Sequence, residues 1–169
     1  MPGMKVKHIA MKTLDQIMVD TPRYCGQNDS LQLVAEQMHK SNVGGLPVLD
    51  KNQKVIGMIT DRDVCLALGK NPGRPVTELK VSDAIAEGKV HTLSTNDDVK
   101  AALRTMRTKQ VRRVPVVDHE QKLKGIVTLT HILRHTHGTT DEKEIAYSGE
   151  ENVMKTLHSI AMHKAEVPA

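Results

Sequence analysis

The 169-residue sequence contains no Phe, no Trp and only two Tyr. Proteins that hold single-stranded nucleic acid stack bases on aromatic rings, and this chain has almost none to offer. Its core has to be built from Val, Leu, Ile, Ala and Met. Cysteine is equally scarce: Cys25 and Cys65 lie far apart and outside any C-x-x-C unit, which excludes a zinc knuckle and a thioredoxin-like motif. Both read as reduced thiols. No apolar run approaches the roughly 18–20 residues of a membrane span. The N-terminal stretch MPGMKVKHIAMKTLDQIM lacks the apolar core of a signal peptide. The expectation is a cytoplasmic protein without a membrane partner. Charge is not concentrated either, since 24 basic and 20 acidic residues give a net charge of +4. A dispersed, mildly basic surface is compatible with phosphate but argues against nucleic acid as partner.

What is present is a repeat. VGGLPVLDKNQKVIGMITDRDV, from Val43, aligns without a gap on VRRVPVVDHEQKLKGIVTLTHI, from Val111, at a constant offset of 68 residues. Pro47/Pro115, Asp50/Asp118, Gln53/Gln121, Gly57/Gly125 and Thr60/Thr128 are among the identical pairs. The offset extends upstream, where Asp29 meets Asp97, Met38 meets Met106, and Asp15 with Ile17 meets Asp83 with Ile85. Such self-similarity signals a duplicated structural unit.

Each copy has the same local logic. Asp29 or Ser30 is positioned to cap a helix in which Leu31, Val34, Ala35 and Met38 follow helical spacing; Val99, Ala102, Leu103 and Met106 do so in the second copy. A short apolar run follows, then a polar turn (KNQK or HEQK) and a second apolar run, a strand–turn–strand pattern. Closing helices are predicted over Asp63–Leu68 and Thr130–His135, and the Pro- and Gly-rich GKNPGRPVTELK joins the copies. Either half alone would have a meagre core, so the halves should pack on one another.

Two units carrying Pro-Val-hydrophobic-Asp and then Gly-hydrophobic-hydrophobic-Thr, with Asp63 three residues beyond Thr60 in the first, resemble tandem cystathionine-beta-synthase (CBS) domains, a Bateman module. The resemblance implies an α+β fold of two pseudo-symmetric β-α-β-β-α units packed sheet to sheet, with two clefts between them. The expected division is a lead over 1–13, CBS units over 14–72 and 73–137, and a tail over 138–169 with an amphipathic helix. It further implies a regulatory sensor rather than an enzyme. Its ligand would be an adenosine nucleotide (AMP, ADP or ATP) or S-adenosylmethionine, with no required cofactor and with Mg²⁺ left open. A homodimer and an unidentified effector protein are the implied partners. The alternative is a dimerisation or interaction scaffold with vestigial clefts.

In the first cleft the resemblance assigns Asp63 to the ribose and Thr60 to phosphate, with Arg62 nearby and Thr92, Val111, Arg112 and Arg113 on the opposing wall. A carboxylate can accept both ribose hydroxyls, and a helix N-terminus beside a hydroxyl suits a phosphate. Helix capping alone is a competing explanation for Thr60 and Asp61. The second cleft has Thr128 in place, but His131 stands where the first copy has Asp63, and a neutral imidazole offers a single acceptor. Its opposing wall would come from Tyr24, Gly44 and Gly45, so it is expected to be the weaker site. Of His131, His135 and His137, the first two share a helix face at i, i+4, but no third ligand stands at zincin-like spacing and no metal site is expected. In the tail, Val153, Leu157, Ile160 and Ala161 form an apolar stripe able to dock on its own chain or on a second subunit.

Overall fold

The computed structural model describes residues 13–85, 90–136 and 155–160. After a 3-10 turn at Leu14–Gln16 and a short strand β1 (Val19–Asp20), the first unit runs β2 (Cys25–Gly26), α1 (Leu31–Ser41), β3 (Gly45–Leu49), β4 (Val55–Thr60) and α2 (Asp61–Lys70). A short helix α3 (Val81–Ala84) leads into the second unit: β5 (Leu93–Ser94), α4 (Val99–Lys109), β6 (Arg113–Val117), β7 (Leu123–Thr128) and α5 (Leu129–Thr136). Both units therefore have the β-α-β-β-α order. Among the described residues no helix is long and apolar enough to cross a membrane.

Local chemistry explains the elements. The Ser30 hydroxyl accepts from the Leu33 N–H, and the Asp98 carboxylate from the Ala101 N–H, so each long helix starts on a side-chain cap. Both helices end in a left-handed residue, Asn42 and Gln110. Leu31, Val34 and Met38 are buried in α1, but Ala35 points to solvent. A small side chain can take either face without much loss, so its position on the wheel was a weak guide.

The hairpins are copies of each other. Asp50 Oδ1 accepts from the Asn52 and Lys54 N–H groups, and Asp118 Oδ1 from those of Glu120 and Lys122, at 2.8–3.0 Å. Gln53 and Gln121 adopt positive φ in the same turns. The register shifts between Val48 and Leu49 in one hairpin and between Val116 and Val117 in the other. The two hairpins then meet, with Lys54 bridging Lys122 and the Val55 N–H donating to the Gln121 carbonyl at 3.2 Å.

The packed cores do not coincide with the sequence repeat. β2-β3-β4 forms one sheet, but β1 pairs antiparallel with β7 to complete a β1-β7-β6-β5 sheet in the other half. Leu14 and Ile17 are buried with Met106, Val116 and Ile132 of the second unit. Leu79 and Val81 are buried with Leu31, Val48 and Ile59 of the first. Each unit thus lends its leading segment to its partner's core. The identical glycines Gly57 and Gly125 sit at these exchanges, where an added Cβ would press on Ile85 and on Met18 respectively.

Candidate functional site

β4 ends at Thr60 and α2 starts at Asp61, so GMITDRD is a strand passing directly into a helix. The Thr60 N–H donates to Asp63 Oδ2 at 2.8 Å and the Thr60 hydroxyl to the same oxygen at 2.6 Å, while the Asp63 N–H reaches Thr60 Oγ1 at 3.3 Å. This is a capping box, with the two residues satisfying each other's backbone. It occupies one carboxylate oxygen only. Among the described residues no hydrogen bond reaches Asp63 Oδ1, but Asp63, expected to face the ribose, is not among the side chains that line the cleft, because the cap turns its carboxylate back onto Thr60.

Thr60, Asp61 and Arg62 face Val111, Arg112 and Arg113 across the junction of the halves. Met58, Cys65, Val90, His91, Gln110 and Ile160 complete a cavity of about 750 Å³. That volume lies within the roughly 300–1,000 Å³ of small-molecule pockets. Three guanidinium groups and one imidazole line it against the single carboxylate of Asp61, a balance that favours an anion. Burial pulls the Arg113 pKa down, Asp61 opposes this, and Arg112 adds to it. A bound phosphate would supply the counter-charge this group is short of.

Thr92 does not stand on this wall. It lines a separate recess with Asp97, Asp118 and His119, while its neighbours Val90 and His91 border the cleft. Tyr24 is displaced in the same way, into a wider cavity of about 1070 Å³ with Lys40, Lys122 and Lys124. Pro22 and Arg23 take its place in the second cleft. In both copies it is the residues just before the expected position, Val90 and His91 or Pro22 and Arg23, that border the cleft, so the two equivalent positions, 68 residues apart, miss their clefts in the same direction.

The second cleft measures about 370 Å³ and is more apolar, with Val19, Val43, Leu46, Pro47 and Ile126 beside Gly45, Thr128 and His131. The His131 N–H donates to Thr128 Oγ1 at 3.2 Å, half of the arrangement seen at Thr60 and Asp63. No carboxylate closes the other half. His131 Nδ1 is buried without a partner, and burial, helped by Arg134 and His135, lowers its pKa against a weaker opposing pull from the Ile126 backbone. Gly44 lies behind this wall, close to Asp61 and Arg113 rather than lining the cleft.

Arg113 borders both clefts. A Cβ on Gly45 would collide with Arg113 Nη1 and come within 3.1 Å of the Ile59 carbonyl. The glycine is therefore the space into which the arginine of the other copy extends. Sequence reasoning did not find Asp61, His91, Gln110 or Ile160 as cleft residues. For Asp61 and His91 adjacency to motif positions was a usable signal. For Ile160 there was none, because it arrives from a distant segment.

The pattern that defines the CBS domain matches residues 14–70 and 81–138, and the chain belongs to this family as a tandem pair. Hypoxic response protein 1 of Mycobacterium tuberculosis is 32% identical over 128 residues, covering 74% of this chain and 85% of that one. Its crystal structure, described with two coordinated zinc ions, superposes with a TM-score of 0.65 at 30% identity, over 73% of this chain and 98% of the other. The CBS domain pair of protein MJ0100, in complex with 5′-methylthioadenosine and S-adenosyl-L-methionine, has a TM-score of 0.68 at 26% identity, over 76% and 98%. The chain also matches a quarter of inosine-5′-monophosphate dehydrogenase of Halobacterium salinarum, at 32% identity over 135 residues. Among the described residues no group of three or more His, Cys, Asp or Glu is placed to hold a metal ion.

Proposed function

We propose that this chain is a regulatory sensor that binds one adenosine nucleotide, or a related adenosyl compound, in the first cleft. The carrying observation is the gathering of three guanidinium groups from the two copies, Arg62, Arg112 and Arg113, beside Thr60 at the start of α2, in a cavity of nucleotide size. Arg62, Arg112 and Arg113 meet the phosphates, and Asp63, next in sequence to the cleft-lining Arg62, is the ribose acceptor that the family resemblance implies. The adenosyl ligands of the MJ0100 domain pair support this class of ligand. The second cleft lacks both the carboxylate and the space, and stays empty or takes a smaller, less charged molecule.

A sensor without chemistry of its own acts by a change of shape. Ligand spans residues from both halves, so it favours the relative orientation of the halves that places Thr60 opposite Arg113, by as much as its affinity differs between the two arrangements. Output then passes to an effector protein, with a homodimer as the working assembly. Isothermal titration with AMP, ATP and S-adenosylmethionine, after removal of any co-purified ligand, tests the reading. One site per chain, lost in Asp63→Asn, is the expected result. No heat from any of the three at millimolar concentration would leave a scaffold as the better account.

A further inference from the structure

Residues 155–160 form a helical segment lying against α4. Thr156, only 1% exposed, donates its hydroxyl to the Leu103 carbonyl at 3.5 Å. Gln110 Nε2 donates to Ser159 Oγ at 2.8 Å and to the Arg107 carbonyl at 2.7 Å. Ile160 is buried, and it shares the wall of the first cleft with Gln110. The expected apolar stripe is thereby corrected: Leu157 is half-exposed, and Thr156 takes the inward position because a hydroxyl that reaches a helix carbonyl can be buried without loss. Val153 and Ala161 lie outside the described residues.

Two features connect this segment to the cleft. Gln110 is the left-handed residue that ends α4 and directs the chain into Val111, Arg112 and Arg113. Its amide nitrogen must face the Arg107 carbonyl, which fixes the amide orientation and leaves Gln110 Oε1 buried without a partner. A buried unsatisfied acceptor is uncommon and carries a cost that a donor would relieve. Gln110 and Ile160 both border the cleft, and Ile160 offers an apolar surface against which a base can lie.

We infer that the C-terminal segment supplies and holds the base-facing wall of the first cleft, so that its docking on α4 and ligand occupancy stabilise each other. This rests on the nucleotide reading above. The cavity remains about 750 Å³ with Ile160 in its wall, so the segment lines the cleft without filling it. Linkage is reciprocal: whatever factor docking adds to ligand affinity, ligand adds to docking.

The test uses the full chain. AMP affinity is measured by titration calorimetry for wild type, Ile160→Ala and Thr156→Ala, and amide hydrogen exchange of residues 155–160 is followed with and without saturating AMP. Ile160 touches the cleft, whereas Thr156 reaches it only through docking. Both variants should bind AMP roughly five- to tenfold more weakly, a typical coupling strength, and AMP should slow exchange in wild type. Unchanged affinity in both variants with unchanged exchange overturns the inference while leaving the nucleotide site intact. Tighter binding by Ile160→Ala also overturns it, by showing a plug. If wild type binds no nucleotide, the functional reading and this inference fall together.

Discussion

At the scale of single residues, the helix cap that Asp63 makes can be separated from the ribose contact proposed for it. Asparagine keeps an oxygen for the Thr60 N–H but loses the second acceptor, whereas alanine loses both. Asp63→Asn should therefore keep its stability near wild type while nucleotide affinity falls at least about tenfold, some 1.4 kcal/mol. Asp63→Ala should add a stability loss of about 1 kcal/mol from the missing cap. Urea denaturation and titration calorimetry on the same samples separate the effects, and equal stability of the two variants would count against the cap. Arg113 gives a second contrast. Its charge is strained by burial and by Arg112, so Arg113→Ala should weaken AMP and ATP but leave adenosine nearly untouched, an outcome readable by competition titration.

His131 makes a pH-dependent contribution whose sign follows from burial. Its pKa in the fold lies below the ordinary value near 6.5. As pH falls through that value the unfolded chain takes up the proton first, so folding stability declines from about pH 6.5 down to the depressed folded value. His131→Gln should flatten the difference in urea midpoint between pH 7 and pH 5. A slope identical to wild type would show that the imidazole is not responsible.

At the scale of elements, the two copies retain the residues that set backbone geometry and diverge where side chains face a cleft. Asp50 and Asp118 tie the hairpin turns, and Gly57 and Gly125 admit the exchanged leading segments. At Gly125 an added Cβ meets the Val19 carbonyl at 2.9 Å as well as the Met18 side chain. Met18 can shift but the paired backbone cannot, so Gly125→Ala should destabilise by more than about 1 kcal/mol and loosen β1. Faster amide exchange at Val19 and Asp20 is the corresponding observation. Gly45 belongs to a different class, since its absent side chain makes room for Arg113, whose position is 68 residues later. Two arginines related by the pseudo-symmetry would meet at the same place.

At the scale of the molecule, the exchange of Leu14–Asp20 and Leu79–Ala84 ties the halves into one folding unit. Leu14 is buried in the second core although it opens the first unit. Leu14→Ala should cost about 2–5 kcal/mol and lower a single cooperative transition seen alike by circular dichroism and by a probe in either half. Two separated transitions would contradict a shared core. Under the proposed sensing role the same connectivity gives a ligand its leverage, because any change in how the halves sit also strains segments built into the opposite core.

The duplication, the β-α-β-β-α order, the hairpin turns and the Thr60 cap were legible in the chain, because each depends on neighbours within a few residues, whereas the partner of that cap is Asp63 and not Asp61. The divergence of the clefts was legible too, from His131 standing where its counterpart is Asp63. The choice of His91 over Thr92 and of Arg23 over Tyr24 for the clefts depends on how the two halves meet. The burial of Leu14 in the far core, the sharing of Arg113 between clefts and the arrival of Ile160 beside Gln110 rest on contacts between residues distant in sequence. Local propensity and spacing carry no record of such contacts. Sequence set the elements and their chemistry, and the tertiary packing decided which side chains share a cleft, because that choice is made by the mutual fit of two halves and not by either alone.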